Sequence, residues 1–223
     1  MSTIYLTRHG LREDWVNKLW KNTAERVSDT PLSKEGFVLA NELGSSLVGS
    51  GITQIISSPM ERCVQTSTAI AEKLNIPIKI DYGVAEYIGP NPKEEDELKP
   101  LTVEQLHKLY KYVDLEYKSS TDILPGKETL QDLHVRCKKC IDILKERFAG
   151  QTIIIVTHAA TLIALGRAVV DDIEYQFRTG VCSLTKASQD PENNNKWFIE
   201  YSGKVDHLSG GEQYHWQMPV LKK

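Results

Sequence analysis

Residues 3–10 read TIYLTRHG, an apolar and β-branched run that ends in an arginine, a histidine and a glycine. The composition of Thr3 to Thr7 predicts a first β-strand. A second run, Thr152 to Thr157, is the most hydrophobic strand candidate, and His158 follows it directly. Strands separated by amphipathic helices predict a mainly parallel sheet that is covered on both faces. The predicted fold is therefore α/β, a three-layer α/β/α sandwich.

Further helices and strands alternate between these two strands. Ser33 can cap a helix with apolar residues at helical spacing, and Ile52 to Ser57 predicts a second strand. Ser58 and Pro59 then provide an N-cap and a first-turn proline for the next helix. The remaining predicted elements are a strand at Ile76 to Ile80, helices at Thr102 to about Tyr117, Leu130 to Phe148 and Leu162 to Val170, and a hairpin of Cys182 to Ala187 with Trp197 to Tyr201.

Length and composition predict one globular domain that covers residues 1–223. A hydrophobic content of 40% and a charged content of 26% are ordinary for such a domain, and a net charge of −3 gives no reason to expect direct nucleic-acid binding. The most apolar region, 152–170, is too short to cross a bilayer, so no membrane association is predicted. Four cysteines and no visible signal peptide predict free thiols and a cytoplasmic and/or nuclear location. Oligomeric state is left open.

Charged side chains follow three of the predicted strands. The first strand ends in Arg8 and His9, with Arg12 just beyond. Arg62 falls on the first turn of the helix after the second strand, and His158 follows the strand near residue 155. Because ligands bind outside the carboxyl ends of parallel strands, we expect these five side chains to converge. A lone histidine or arginine would more often be structural, so the joint placement carries the functional prediction.

The chemistry of these residue types suits phosphoryl transfer. The planar fork of arginine matches two phosphate oxygens, and a neutral imidazole is a competent nucleophile near pH 7. Glu86 follows the third strand at the same edge and is the candidate acid that protonates the leaving oxygen. A ring of cationic donors can neutralise the phosphoryl charge, so no metal and no cofactor is predicted.

The combined motifs resemble the histidine phosphatase superfamily, with its phosphoglycerate mutase-like fold. The resemblance spans about residues 3 to 185 and is carried by the motifs Arg8-His9-Gly10, Ser57-Ser58-Pro59 with Arg62, Glu86, and Thr157-His158-Ala159. It implies that His9 takes the phosphoryl group. It also implies that Arg8, Arg62 and His158 bind phosphate and that Glu86 acts as the acid. Arg12 is predicted as a further phosphate-binding donor, with an acidic neighbour as the alternative partner.

Arg12 and Trp15 bear on the subfamily. Mutases and sugar-phosphate phosphatases usually have a small hydroxyl residue and an asparagine at these two positions, so mutase activity is disfavoured. Arg12 resembles the Sts/TULA protein tyrosine phosphatases. Arg12 together with Trp15, residues 180–184 and the tail 208–216 looks more like the phosphatase-like domain of the fungal transcription factor IIIC subunit tau55 and its free-standing relatives.

Three functions stay open on these grounds. The first is a phosphomonoesterase that works through a phosphohistidine on His9, with phosphotyrosine, a phosphoprotein or a small phosphate ester as substrate. Trp15, Trp20 and Tyr87 are predicted to border its pocket and to stack on an aromatic leaving group. The second is a phosphatase-like interaction module with a protein partner, related to a transcription factor IIIC subunit. The third is a phosphoglycerate-type mutase, which is disfavoured.

Other suggestive patterns have structural explanations. Cys137 and Cys140 have the spacing of half a zinc site, but both lie on the apolar stripe of the long helix and are predicted to be core residues. His207 and His215 are predicted to be solvated or locally packed in the tail. Asn91 to Pro100, with the acidic run Glu94-Glu95-Asp96-Glu97, predicts a solvated loop.

Overall fold

In the computed structural model, which describes residues 1–91 and 97–218, a six-stranded sheet forms the centre of the chain. Its strands are β1 (Thr3–Arg8), β2 (Gln54–Ser57), β3 (Ile78–Ile80), β4 (Thr152–Thr157), β5 (Leu184–Asp190) and β6 (Lys196–Lys204). They lie in the order β3-β2-β4-β1-β5-β6. The first four are parallel, whereas β5 and β6 pair antiparallel at one edge. The mostly parallel sheet and the late hairpin are thereby confirmed.

Helices cover both faces of this sheet. They are α1 (Glu13–Val16), α2 (Lys34–Ser46), α3 (Glu61–Leu74), α4 (Val103–Leu109), α5 (Leu130–Arg147) and α6 (Ala159–Val170). One buried cluster joins α2 and α3 to the sheet face of Tyr5, and another joins α5 and α6 to the opposite face of Ile4 and Leu6. This alternation follows from the two-residue period of a strand, and the result is the predicted three-layer sandwich.

The start of α2 packs backbone to backbone against the loop after β1. The Ser33 hydroxyl accepts a hydrogen bond from the Gly36 amide at 3.0 Å, which confirms the predicted cap. A Cβ atom on Gly36 would lie 2.2 Å from the Leu11 carbonyl oxygen, and one on Gly10 would lie 2.7 Å from the Gly36 carbonyl oxygen. The two glycines therefore permit the approach that fixes the loop carrying His9.

Three predicted helix boundaries are wrong. Helix α6 begins at Ala159, three residues before the predicted Leu162. The helix after β2 begins at Glu61 with Met60 as its N-cap, whereas the Ser58 hydroxyl lies 2.7 Å from the His158 Nε2 and also accepts a hydrogen bond from the Met60 amide at 3.4 Å. Helix α4 ends at Leu109 rather than near Tyr117, because the following segment pairs with the free edge of β3. The Ile78 amide donates to the Tyr112 carbonyl at 2.7 Å, and the Asp114 amide donates to the Ile78 carbonyl at 2.9 Å.

Three further sequence predictions concern the paired cysteines, the acidic run and membrane association. Cys137 and Cys140 are buried in the core cluster beneath α5, as expected for small apolar residues. Most of the acidic run, Glu94 to Asp96, lies outside the described residues. None of the helices that the structure describes is both long enough and apolar enough to cross a bilayer.

Candidate active site

The six predicted site residues meet at the carboxyl ends of β1, β2 and β4. The rings of His9 and His158 have centroids 5.3 Å apart. Glu86 lies against His158, with 3.0 Å between its Oε2 and the imidazole Nδ1, and against Arg62, with 3.2 Å to Nη2. The guanidinium carbons of Arg8 and Arg12 lie 5.2 and 5.3 Å, respectively, from the centroid of the Trp15 ring. The structure therefore brings together side chains that are up to 150 residues apart.

His9 is held as a neutral imidazole with one free nitrogen. Its Nδ1 lies 2.7 Å from the carbonyl oxygen of Gly10, so Nδ1 carries the proton and Nε2 keeps its lone pair. Burial lowers the pKa of His9 well below its ordinary value, and the charges of Arg62 and the proximity of His158 lower it further. The Gly10 contact opposes this shift without reversing it. His9 is thus ready as a nucleophile at neutral pH.

His158 is oriented by contacts on both of its nitrogens. The Ser58 hydroxyl lies 2.7 Å from Nε2, and the carboxylate of Glu86 lies 3.0 Å from Nδ1. Since an ionised carboxylate only accepts, the proton sits on Nδ1 and the Ser58 hydroxyl donates to Nε2. Burial lowers the pKa of His158 to about 4, although Glu86 opposes the shift. The second histidine is therefore also neutral in the free site.

Glu86 is ionised in the free site. Burial alone would raise its pKa, but contact with His158 and the charges of Arg62 and Arg12 outweigh burial and hold the pKa well below its usual range. Its Oε1 accepts a hydrogen bond from the Tyr87 amide at 3.0 Å. The carboxylate is thus fixed on one oxygen while the other faces the two histidines.

Two arginines present buried N–H groups with nothing to bind. Arg62 is only 2% exposed, and its Nε and Nη1 have no hydrogen-bond partner among the described residues. Arg8 uses Nη1 to bond the carbonyls of Thr179 and Tyr214, while its buried Nε is unpartnered within the same residues. Burial lowers the pKa of Arg8 to about 10, so it stays charged at neutral pH. Buried guanidinium donors without acceptors are unfavourable, so this arrangement suits an anion.

Arg12 is oriented by its neighbours before any ligand binds. Its Nε and Nη2 donate to the two oxygens of Asp14 at 2.9 and 2.7 Å, and its guanidinium lies over the Trp15 ring. It borders a cavity of about 280 Å³ that also reaches Arg62 and Glu86. Phosphate binding by Arg12 stays a prediction.

The same cavity is lined by residues from the chain after β1 and from the chain after Glu86. Its wall combines Tyr87, Ile88 and Leu98 with polar groups from residues 12–28. Of the predicted aromatic residues, Tyr87 lines this space. Trp15 instead stacks on Tyr214, with ring centroids 4.9 Å apart and 21° between the planes. Trp20 lies in a short 3₁₀ turn, Trp20–Asn22, and is not among the described residues that line the cavity.

A family comparison agrees with this site. A model of the histidine phosphatase superfamily (branch 1) matches residues 4–199, most of the chain. The chain belongs to the histidine phosphatase superfamily. The matched range includes each of the six residues that meet at the sheet edge.

Similar proteins have been described under different names. The transcription factor tau 55 kDa subunit of Saccharomyces cerevisiae is 29% identical over 99% of this chain, which spans only 59% of that relative. The probable phosphoglycerate mutase GpmB of Erwinia tasmaniensis is 26% identical, with 93% of this chain and 95% of the relative covered.

Solved structures share the fold of this chain. The ecdysone phosphate phosphatase of Bombyx mori superimposes with a TM-score of 0.75 over 100% of this chain and 96% of that chain, at 18% identity. A phosphoserine phosphatase from Entamoeba histolytica gives a TM-score of 0.62 over 93% and 100%, at 19% identity. These likenesses confirm the phosphoglycerate mutase-like fold.

Sequence reasoning missed several residues that support the candidate site. Ser58 was expected to cap a helix but orients His158. Thr66 accepts a hydrogen bond from the Gly10 amide at 3.0 Å and so ties α3 to the loop of His9. The tail residue Tyr214 reaches Arg8 through its main-chain carbonyl. No local sequence pattern predicts a main-chain contact such as that of Tyr214. Of these three residues, only Ser58 carried a signal, which was its place beside Pro59 in the motif.

The site also offers ligand atoms of the kind that bind metals. One such atom from each of His9, Glu86 and His158 lies within 4.8 Å of the others. Arg62 contacts the same carboxylate and would repel a cation there. The arrangement therefore favours an anion over a resident metal ion.

Proposed function

We propose that this protein is a phosphomonoesterase that works through a phosphohistidine intermediate on His9. The observation that carries the proposal is a pair of buried donors of Arg62, Nε and Nη1, that no described residue accepts from, beside a neutral histidine whose Nε2 is not engaged by those residues. Such donors fit the equatorial oxygens of a phosphoryl group, which accumulate charge in the transition state. Membership of the histidine phosphatase superfamily supports the same chemistry.

The first half-reaction transfers the phosphoryl group to His9. Nε2 forms a bond to phosphorus while the bond from phosphorus to the ester oxygen breaks, and that oxygen leaves with the electron pair. Arg8 and Arg62 hold the phosphoryl oxygens, and the Nδ1–H of neutral His158 donates to one of them once Glu86 is protonated and no longer accepts it. Glu86 passes a proton to the leaving oxygen.

The proton on Glu86 arrives with the substrate. Glu86 is ionised in the free site because Arg62 and His158 stabilise its charge. A bound phosphate group accepts the hydrogen bonds of Arg62 and adds negative charge, so the pKa of the carboxyl rises. A monoanionic ester can then hand its proton to Glu86 on binding.

The second half-reaction hydrolyses the phosphohistidine. Glu86, now ionised, accepts a proton from water as the water oxygen bonds to phosphorus. The bond between phosphorus and Nε2 breaks, and its electron pair returns to the imidazole. Glu86 then returns this proton to the departing phosphate, which leaves free His9, ionised Glu86 and inorganic phosphate. The arginines stabilise the charge in both steps.

The substrate is proposed to be a small or aromatic phosphate ester or a phosphotyrosine side chain. The cavity of about 280 Å³ admits a leaving group of modest size, and its wall includes Tyr87 and Ile88. A screen of phosphopeptides and phosphorylated metabolites distinguishes these classes. The expected cytoplasmic and/or nuclear location stays a prediction.

Hydrolysis of p-nitrophenyl phosphate in the presence of a chelator tests the proposal. We expect turnover by the wild type and a loss of about 10³-fold or more in His9→Ala. His134→Ala is the matched control, because this histidine lies on α5 and bonds its own helix through the Leu130 carbonyl. Quenching in alkali should show one added phosphoryl group on the peptide that contains His9. A folded wild type no faster than His9→Ala would contradict the proposal.

A second candidate is a phosphatase-like interaction module with a protein partner. The similarity to the tau 55 kDa subunit, 29% identity over 99% of this chain, favours it. A stoichiometric partner whose binding is unaffected by His9→Ala, with no hydrolysis by the wild type, would support this candidate. Similarity to the probable phosphoglycerate mutase GpmB keeps a mutase as a third candidate, tested by interconversion of phosphoglycerates. The indole of Trp15, 6.1 Å from the His9 ring, disfavours it.

A further inference from the structure

The turn that carries Glu86 is held by side chains from three other elements. Residues 82–84 form a single 3₁₀ turn after β3, and Glu86 follows two residues later. A turn of this length has too few internal hydrogen bonds to fix a side chain. The carbonyl oxygens of Gly83, Val84 and Ala85 all accept bonds from side chains elsewhere in the fold.

Two threonines tie this turn to the elements that carry His158. The hydroxyl of Thr157, at the end of β4, donates to the Val84 carbonyl at 2.6 Å. The hydroxyl of Thr161, on the first turn of α6, donates to the Ala85 carbonyl at 2.9 Å. A helical threonine commonly bonds a carbonyl of its own preceding turn, so this contact across elements is a specific one. Both threonines are fully buried, so water does not compete for these bonds.

Arg136 on α5 completes the support from the opposite side. Its Nη1 donates to the carbonyls of Gly83 at 2.9 Å and Ala85 at 3.2 Å. Its Nε and Nη2 pair with the carboxylate of Glu128 at 2.6 and 2.9 Å. The Glu128 amide in turn donates to the Ile88 carbonyl at 2.8 Å. The chain is thus restrained both before and after Glu86.

We propose that Thr161 and Arg136 are positioning residues that hold the carboxyl of Glu86 where it can protonate the leaving oxygen. The proposal rests on the proposed phosphatase function. Neither residue is predicted to touch substrate; both act through the Ala85 carbonyl, which belongs to the peptide bond that joins Ala85 to Glu86. A displacement of about 1 Å in a catalytic group can reduce the rate about 10²-fold, so loss of these bonds should slow the step that needs the proton.

The test compares two aryl phosphates that differ in the leaving group. Phenyl phosphate and p-nitrophenyl phosphate have similar shapes, but nitrophenolate delocalises its charge and needs little protonation. Hydrolysis of the phosphohistidine is common to both esters, so kcat/KM, which reports the first half-reaction, is the quantity compared. Thr161→Val and Arg136→Lys should lower kcat/KM for phenyl phosphate about tenfold or more, and kcat/KM for p-nitrophenyl phosphate about threefold or less. Thr161→Ser keeps the hydroxyl and should restore the wild-type ratio of the two rates.

Thr185→Val is the matched control. Thr185 is a buried threonine on β5 whose hydroxyl accepts a hydrogen bond from the Gly203 amide, away from Glu86. Its substitution should leave the ratio of the two rates unchanged. Circular dichroism and thermal melting establish that each variant is folded, and Thr161→Val and Arg136→Lys are tested separately because each breaks a different bond.

The outcomes separate this proposal from the function on which it rests. A wild type inactive toward both esters overturns the phosphatase function and the positioning role with it. An active wild type whose Thr161→Val and Arg136→Lys variants lose both rates equally, or lose neither, overturns the positioning role alone. A selective loss on phenyl phosphate, restored by Thr161→Ser, supports it.

Discussion

The Nη1 atom of Arg8 donates a hydrogen bond to the main-chain carbonyl of Tyr214 at 2.6 Å, which joins the first strand to a residue 206 positions later. The ring of Tyr214 stacks on Trp15, and the guanidinium of Arg8 lies over the same indole. Tyr214 has a φ of 52°, an uncommon backbone conformation for a residue with a side chain. The tail thus helps to orient Arg8, which is predicted to bind phosphate.

Tyr214→Ala is expected to lower kcat/KM about 2- to 10-fold, because a stacked aromatic pair contributes about 0.5–1.5 kcal/mol. Without the ring, the carbonyl is held less firmly beneath Arg8. Phe198→Ala on β6 is the control, since its ring is similarly exposed, at 46% against 49% for Tyr214. Steady-state kinetics on p-nitrophenyl phosphate give the measurement. Equal rates for wild type and Tyr214→Ala would show that the tail contact is not needed.

Ser58→Ala is expected to reduce kcat about tenfold, because the Nε2 of buried His158 loses its hydrogen-bond donor and the tautomer is no longer fixed. The control is Ser67→Ala, whose buried hydroxyl has no partner among the described residues. Removing that hydroxyl should leave both kcat and the melting temperature nearly unchanged. A Ser58→Ala rate equal to that of Ser67→Ala would contradict the orienting role.

The pH dependence of kcat/KM should show an acidic optimum. His9 is neutral throughout the range because its pKa is well below the ordinary value, and burial holds the pKa of His158 at about 4. The proton for the leaving oxygen enters with the monoanionic ester, whose second pKa is about 6. The rate therefore rises as pH falls from about 8 to about 6 and declines only as pH approaches about 4. A rate that increases steadily above pH about 7 would contradict this proton route.

Metal ions should not activate the enzyme. Dialysis against a chelator is expected to leave kcat within about twofold, because arginines stabilise the phosphoryl charge. Added Zn²⁺ should inhibit, since His9, Glu86 and His158 offer ligand atoms within 4.8 Å of one another and a bound ion would occupy the nucleophile. Inorganic phosphate should relieve this inhibition by competition. Recovery of activity when Zn²⁺ is added to the chelator-treated protein would contradict the prediction that no metal is needed.

Gly36→Ala should lower the free energy of unfolding by about 1–3 kcal/mol, because the added Cβ would lie 2.2 Å from the Leu11 carbonyl oxygen. The start of α2 must then move away from the loop of His9, so activity should fall as well. Gly126→Ala is the control, since a Cβ there would meet no atom within 4 Å. Urea unfolding of both variants measures the difference. Equal free energies of unfolding for the two variants would show that a small backbone shift accommodates the added Cβ.

Local sequence patterns were sufficient for the layers of the fold and for the six residues of the site. The β-branched run of Thr3 to Thr7, the buried strand Thr152 to Thr157 and the periodic helices each carry a signal within a few residues. Once a parallel sheet is predicted, the ends of its strands share an edge, so Arg8, His9 and His158 were expected at that edge. The strand order, which places β1 beside β4, came only from the folded structure. Short-range chemistry and one topological rule determine this much.

Contacts between distant main-chain groups were decided only in the folded structure. Helix α4 ends at Leu109 because β3 has a free edge, and no residue of the helix signals this. The role of Ser58 depends on the position of His158, 100 residues later. The charge states of His9 and Glu86 depend on burial among arginines, which moves a pKa only after the chain has collapsed. The sequence specifies which groups can react, and packing across the sheet determines their protonation states and orientations.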